Sequence, residues 1–426
     1  MSITPAAPDT DPCAALTAIA GRDGIPAAFT HLTTTLAARR RWHALFDARL
    51  LEARHRLGLP LSGDLAAAPP EARAALEAAS LVACREVGWP LVEEGRVAAG
   101  WMYLRAAVEP AEMGGALARL ADRLEAPGDG DDPAADESLQ EVIHVALWEG
   151  VDPPLGLRLL LSRSGTCNTI TAYEQAVSRL PAVRQQPAAR LLVEHLHEQV
   201  ALALAGDLAR RGVVADDTPP AGDAPINALL AAAGGLTDGS IHVDVSHLQS
   251  VLRIARVCTD RPTVARAWDL ACYACRLPAE VVYAGEAPFE QVGEASRHFF
   301  GAQLGHDVDA AVASFRRAAL EAKVAEAGSL PADVLVLLLW RLGRPAEALH
   351  AALDRPADDG MPSALSATGM LPTLVELATA AGDHTTLQAA CRRHGDEITF
   401  MASLAAEAGR HGRAAGPGIA PVSGSN

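Results

Sequence analysis

His242, Asp244 and His247 lie close together in the stretch IHVDVSHLQ, residues 241–249. Two imidazoles and a carboxylate are the ligand set of many zinc and non-haem iron sites. The stretch alternates apolar and polar residues. An extended chain would therefore turn Ile241, Val243 and Val245 one way and His242, Asp244 and Ser246 the other. Ser246-His-Leu-Gln249 has capping-box spacing, which makes Ser246 the expected cap of a helix running to Cys258. His247 then sits in the first turn, where the helix dipole disfavours imidazolium and leaves the neutral ring that binds metal.

His197 is the fourth member of the expected metal set. On a helical wheel Leu192, Val193, Leu196, Val200, Leu204 and Leu208 form one apolar arc with His197 inside it, while His195 and Glu198 fall outside. A buried imidazole must be hydrogen-bonded or ligated. The set His242, Asp244, His247 and His197 would hold a divalent transition metal, zinc or iron. The competing reading is a polar loop entering a capped helix, with His242 bonded to Asp244. For each buried histidine it is a ring bonded to a carbonyl.

A catalytic pair is also conceivable from His144 and Cys167. Leu147 and Trp148, three and four residues on, flank His144 and predict its burial. GTCNTIT, 165–171, reads as a loop between two helices, and a thiol near a helix N-terminus can act as a nucleophile. An ordinary cysteine is the alternative. Cys272 and Cys275 have the C-x-x-C spacing inside an amphipathic run, which points to packing. Glu-x-x-His recurs at Glu52/His55, Glu141/His144, Glu194/His197 and Glu347/His350. On a helix these pairs share a face, as in di-metal bundles, but for Glu52/His55 and Glu347/His350 a solvated surface is the expectation. The same holds for Arg39, Arg40 and Arg41.

The elements that must position these residues are helices. Half of the 426 residues are hydrophobic and only 4% are aromatic, so the core is built from small side chains. Alanine and leucine favour helix, and blocks of β-branched or aromatic residues are scarce. A formal charge of −16 argues against a nucleic-acid partner. Lys323 is the one lysine, which excludes P-loop and Schiff-base chemistry unless Lys323 serves; it lies on a helical surface pattern. The seven scattered cysteines fit a reducing compartment. The N-terminus has no signal-peptide pattern, and the longest apolar run, Val334 to Trp340, is far too short to span a bilayer. A soluble, cytoplasmic protein with no membrane contact is expected.

Breaks divide the chain into an unstructured N-terminus (1–12), helical hairpins (13–125), an acidic linker (126–136), a central helical segment (137–214), a second linker (215–225), a C-terminal helical segment (226–411) and a disordered tail (412–426). Ser138-Leu-Gln-Glu141 and Thr171-Ala-Tyr-Glu174 have capping-box spacing, and Gly58, Gly95, Gly150, Gly165 and Gly212 each follow a helical pattern. In the C-terminal half a small or apolar residue follows a helix-ending glycine by five: Gly305/Ala310, Gly343/Ala348 and Gly382/Leu387, with an earlier relative starting at Gly95. The glycines are 38 and 39 residues apart, by subtraction of their positions.

These segments, about a third of the chain, resemble the helix-turn-helix units of tetratricopeptide-repeat-like proteins. Their period is longer and most of that family's aromatic and proline landmarks are missing. The resemblance implies an all-α fold of hairpins stacked as an α-solenoid or curved two-layer array, with a concave surface for a partner. It transfers no functional residue. His242-x-Asp244 is similar to the start of the facial triad in iron- and 2-oxoglutarate-dependent oxygenases, but that family needs a β-barrel, and here a helix follows within two residues. Two functions stand open: a metal-binding protein, catalytic or not, acting on a small molecule, and a non-catalytic scaffold for a protein or peptide.

Overall fold

The computed structural model describes residues 11–66, 68–126, 132–212, 225–232, 240–285, 288–322, 327–355 and 364–414. Every regular element among them is helical. Lys323, most of the linker 215–225 and the tail from 415 lie outside the described residues. The last helix runs to Ala414, past the stop expected at 412, and Asp11 caps a first helix that already begins at Pro12. Among the described residues no helix is long and apolar enough to cross a membrane.

Residues 1–162 and 163–426 form two compact units. The first contains α1 (Pro12–Asp23), α2 (Ile25–Ala38), α3 (Trp42–Arg56), α4 (Pro70–Glu93), α5 (Val97–Leu104), α6 (Pro110–Leu124) and α7 (Pro133–Ile143), which widens into a π-turn at His144–Trp148. α6 packs on α7, and of the acidic stretch 126–136 between them residues 127–131 lie outside the described residues. α8 (Pro153–Ala172) is broken at Gly165, whose φ of 75° and ψ of 178° no helix accommodates.

The second unit is arranged around α9 (Ala182–Arg210). Leu192, Leu196, Val200, Leu204 and Leu208 are fully buried along one face, with His197 2% exposed among them, as the wheel predicts. Each such leucine contributes about 2 kcal/mol by leaving water. α10 (Ile226–Ala232), α11 (Val245–Ile254) and α12 (Arg261–Ala274) pack against α9. There follow α13 (Val292–Leu304), α14 (Val308–Glu321), α15 (Leu330–Arg341), α16 (Pro345–Leu353), α17 (Ala364–Ala367), α18 (Leu374–Ala381), α19 (His384–His394) and α20 (Glu397–Ala414).

One turn recurs between paired helices. At Gly95, Gly305, Gly343 and Gly382 the chain takes a positive φ, and the next N–H reaches back to a carbonyl five residues earlier: Arg96 to Leu91, His306 to Gly301, Arg344 to Leu339 and Asp383 to Ala378. This is the Schellman closure, which satisfies carbonyls that a helix end leaves open. Arg40 makes the same turn between α2 and α3 at φ 52°, a conformation that costs a residue with a Cβ about 1 kcal/mol. The residue five past the turn is buried at Leu45, Gly100, Ala348 and Leu387. The exception is Ala310, which is exposed while Ala311 is buried. Asp307, itself left-handed at φ 44°, adds one residue before α14 starts and shifts the register by one.

Two capping boxes read from the sequence are not caps. Asp132 caps α7, and Ser138 and Glu141 lie within that helix. Their side chains reach across to the neighbouring hairpin. Ser138 packs so tightly on Gly95 that a Cβ there would collide with its hydroxyl, and Glu141 accepts the Ala98 N–H at 2.8 Å near the start of α5. Thr171 is inside α8, where its hydroxyl donates to the Cys167 carbonyl, and Glu174 lies in a π-turn at Tyr173–Val177.

Candidate functional site

The loop before α11 carries the residues with the strongest chemical expectation. Its backbone pairs with no strand, and the alternation does not sort its side chains. Ile241 is 45% exposed, whereas the His242 side chain is buried. A lone extended segment has no neighbour to enforce a two-sided pleat, so specific bonds decide what turns inward. His242 is held three times. Its backbone N–H donates to the Tyr273 hydroxyl at 2.9 Å, its Nδ1 lies 3.0 Å from the same oxygen, and its Nε2 lies 3.3 Å from Asp207 Oδ2. The bonding pattern fits a Tyr273 hydroxyl that donates to Nδ1 and an Nε2–H that donates to Asp207. The Arg211 guanidinium, 2.7 Å away, holds the Asp207 carboxyl below its usual range; burial opposes this and His242 adds to it.

Asp244 faces away from this cluster. It is the N-cap of α11, in place of Ser246: its Oδ1 accepts the Ser246 N–H at 2.8 Å, the Ser246 hydroxyl at 2.6 Å and the His247 N–H at 3.3 Å. Asp-x-Ser and Ser-x-x-Gln both have cap spacing, and an ionised carboxylate is the stronger acceptor. Asp244 is therefore spoken for by the helix and is not bonded to His242. Asp244→Ala is expected to cost about 1 kcal/mol. The Ser246 hydroxyl, ahead of burial acting the other way and the two backbone N–H bonds, keeps the Asp244 carboxyl below the usual carboxylate range. Its contribution is thus complete above the unfolded value and fades as pH falls through the folded one. Urea titrations should show wild type and variant separated at neutral pH and converging in acid; a gap that widens in acid would contradict the cap.

His197 makes a second, separate anchor. Its Nε2 lies 3.2 Å from Asp269 Oδ2 on α12, and that carboxylate also accepts the Ile226 N–H at 3.0 Å and the Asn227 side-chain amide at the start of α10. The α9 positions that hold the two anchors, 197 and 207, are about 15 Å apart along the helix. Among the described residues no group of three His, Cys, Asp or Glu side chains stands where it could hold a metal ion. His242, Asp244, His247 and His197 are thus not gathered into the expected set.

Of the expected catalytic pair, His144 lies in the first unit and Cys167 in the second. His144 is exposed, contrary to the expected burial, because the π-turn sends Val145, Ala146 and Leu147 inward and leaves His144 and Trp148 outside. Cys167 is exposed in the first turn after the Gly165 break. The histidine beside it is His195, whose Nε2 lies 3.1 Å from the Thr166 hydroxyl and whose pKa is lowered by burial, against a rise from Glu198. Each glutamate of the Glu-x-x-His pairs has another partner: Glu52 with Arg49, Glu141 with the Ala98 N–H, Glu194 with Arg266 and Glu347 with Arg316.

A cavity of about 460 Å³ opens elsewhere in the second unit. It lies between the first turns of α9 and α12, the C-terminal ends of α13 and α15, and the turn after α17. Its polar lining comes from Arg261, Arg341, Gln186, Gln303 and Thr259, and among the described residues that line it there is no carboxylate. Arg341 Nη1 donates to the Cys258 carbonyl at 2.8 Å and to Gln303 Oε1 at 3.4 Å, and the guanidinium lies over the Phe299 ring. Burial pulls the Arg341 pKa down to about 10, against a smaller rise from Cys258. The sequence reading missed this site because its residues come from five separate segments. The one local signal was an arginine closing the apolar run Val334–Trp340.

No family model, curated protein or solved structure matches the chain.

Proposed function

We propose that this chain is a non-catalytic binding protein, built from tetratricopeptide-repeat-like hairpins stacked in solenoid fashion within each unit. The observation that carries this reading is His242. Both of its ring nitrogens are engaged, one by Tyr273 and one by Asp207, so it has no lone pair to offer a metal or a substrate proton. The imidazole–carboxylate pairs on α9 act as fasteners, one for the loop before α11 and one for the start of α10. The recurring turn supports the hairpin part of the reading, since it joins two-helix units in both halves of the chain.

Metal analysis of protein purified without a histidine tag tests the reading. Substoichiometric zinc, iron and manganese, unchanged after incubation with each ion, is the expected result. One ion per chain that is released by His242→Ala or His197→Ala would overturn it and restore the metal site.

A further inference from the structure

We propose that the Arg341 cavity binds a small organic anion: one carboxylate or phosphate-monoester group joined to an apolar body. This rests on the binding-protein reading and names the class of ligand.

The charge pattern is the first ground. A chain of formal charge −16 repels anions overall, so an anion site must be built locally. Among the described residues that line it, this cavity has two arginines and no carboxylate. Asp260, next to Arg261, is turned to Thr263 at 2.7 Å and to Arg190 at 3.3 Å. Neither the half-buried Arg341 nor the exposed Arg261 has an ion-pair partner among the described residues, whereas the half-buried Arg49, Arg266, Arg344 and Arg355 do.

The second ground is the way Arg341 is held. Both of its hydrogen bonds use Nη1. The Nε and Nη2 edge has no protein partner among the described residues, and that edge is the fork that meets two oxygens of a carboxylate or phosphate side by side. The Cys258 carbonyl and the Phe299 ring fix the guanidinium in place, so little side-chain freedom is lost on binding. Desolvation has already weakened the proton affinity of this arginine, which an oxyanion at the fork would restore.

The third ground is size and the rest of the wall. About 460 Å³ suits a small molecule. Trp340, Leu337, Met370 and Val257 supply an apolar surface, while Gln186 and Thr259 flank it with polar groups. A bare inorganic anion would leave that apolar wall in water; a ligand with a ring or short chain would cover it.

The test uses the full chain and three phenyl probes, benzoate, its neutral isostere benzamide, and phenyl phosphate, in calorimetric titration and thermal unfolding. Benzoate or phenyl phosphate should bind and raise the melting temperature, and the stronger of the two identifies the acidic group; benzamide should do neither. Arg261→Gln, an exposed change, should weaken binding about tenfold, the weight of one charge-assisted hydrogen bond. Arg341→Met should abolish it; if that variant does not fold, the Arg261→Gln result decides. Equal binding of benzamide, no binding of any probe at millimolar concentration, or affinity unchanged by Arg261→Gln would overturn the proposal. A metal-free protein that binds no probe would overturn the ligand class and leave the binding-protein reading standing.

Discussion

Asp269→Ala is expected to destabilise the second unit by about 3 kcal/mol and to release α10 before anything else. The carboxylate accepts from three donors on two other elements: the His197 ring, the Ile226 backbone N–H and the Asn227 amide. Alanine leaves all three without an acceptor in a region where His197 is 2% and Ile226 0% exposed. A buried donor that loses its partner costs more than the bond itself contributed. Asp269 also substitutes for a local cap on α10, a helix of seven residues that could not persist alone. Hydrogen exchange is the decisive readout. Protection should fall across 226–232 and stay near its original level at 242, because His242 is tied to Asp207 and Tyr273 by a different set of bonds. A uniform loss across the unit would show that Asp269 supports the core in general and not α10 in particular.

Arg355→Met should cost about 3 kcal/mol as well, and should cost more than removing its partner. Asp333 is fully buried in α15, a helix whose residues from Pro331 to Leu339 all face protein. Its carboxylate is matched by Arg355 Nη1 at 2.9 Å and by the Ser329 hydroxyl at 3.0 Å. Arg355 is a third exposed and can turn to water, but Asp333 cannot. Taking away the arginine therefore strands a charge, whereas Asp333→Leu replaces that charge with packing that suits its surroundings. Urea unfolding of the two variants separates these effects. Equal losses would mean that the pair matters through packing alone.

Much of the fold was legible because it follows from local rules. The wheel of α9 placed Leu192, Leu196 and Leu208 inside, and Gly58, Gly95, Gly150, Gly165 and Gly212 all have positive φ, as helix stops require. Helix starts were read less well. Asp244 and Ser246 are two residues apart and either can accept the same N–H groups, so spacing alone does not choose between them. Ser138 and Glu141 have the pattern of a cap, yet they serve a neighbouring hairpin, a relation that lies 43 residues away in the sequence. The histidines were recognised as unusual and their partners were not, since Asp207, Asp269 and Tyr273 are ordinary residues on long helices until the chain folds. The cavity was invisible for the same reason: Gln186, Arg261, Gln303, Arg341 and Met370 share no segment.

The extra residue at Asp307 has a consequence for how such a chain can change over time. One residue added ahead of a helix turns every following side chain by about 100° around the axis. α14 has absorbed that rotation by presenting Ala311 in place of Ala310, at no cost in core volume, since both are alanine. An alanine-rich sequence is therefore tolerant of phase errors: a helix that offers the same small side chain on adjacent positions can slip by one and still fit its neighbour. Insertions and deletions at the turns would then accumulate without unfolding the hairpins, and the even spacing of the glycine turns would fade from the sequence while the turns themselves persisted.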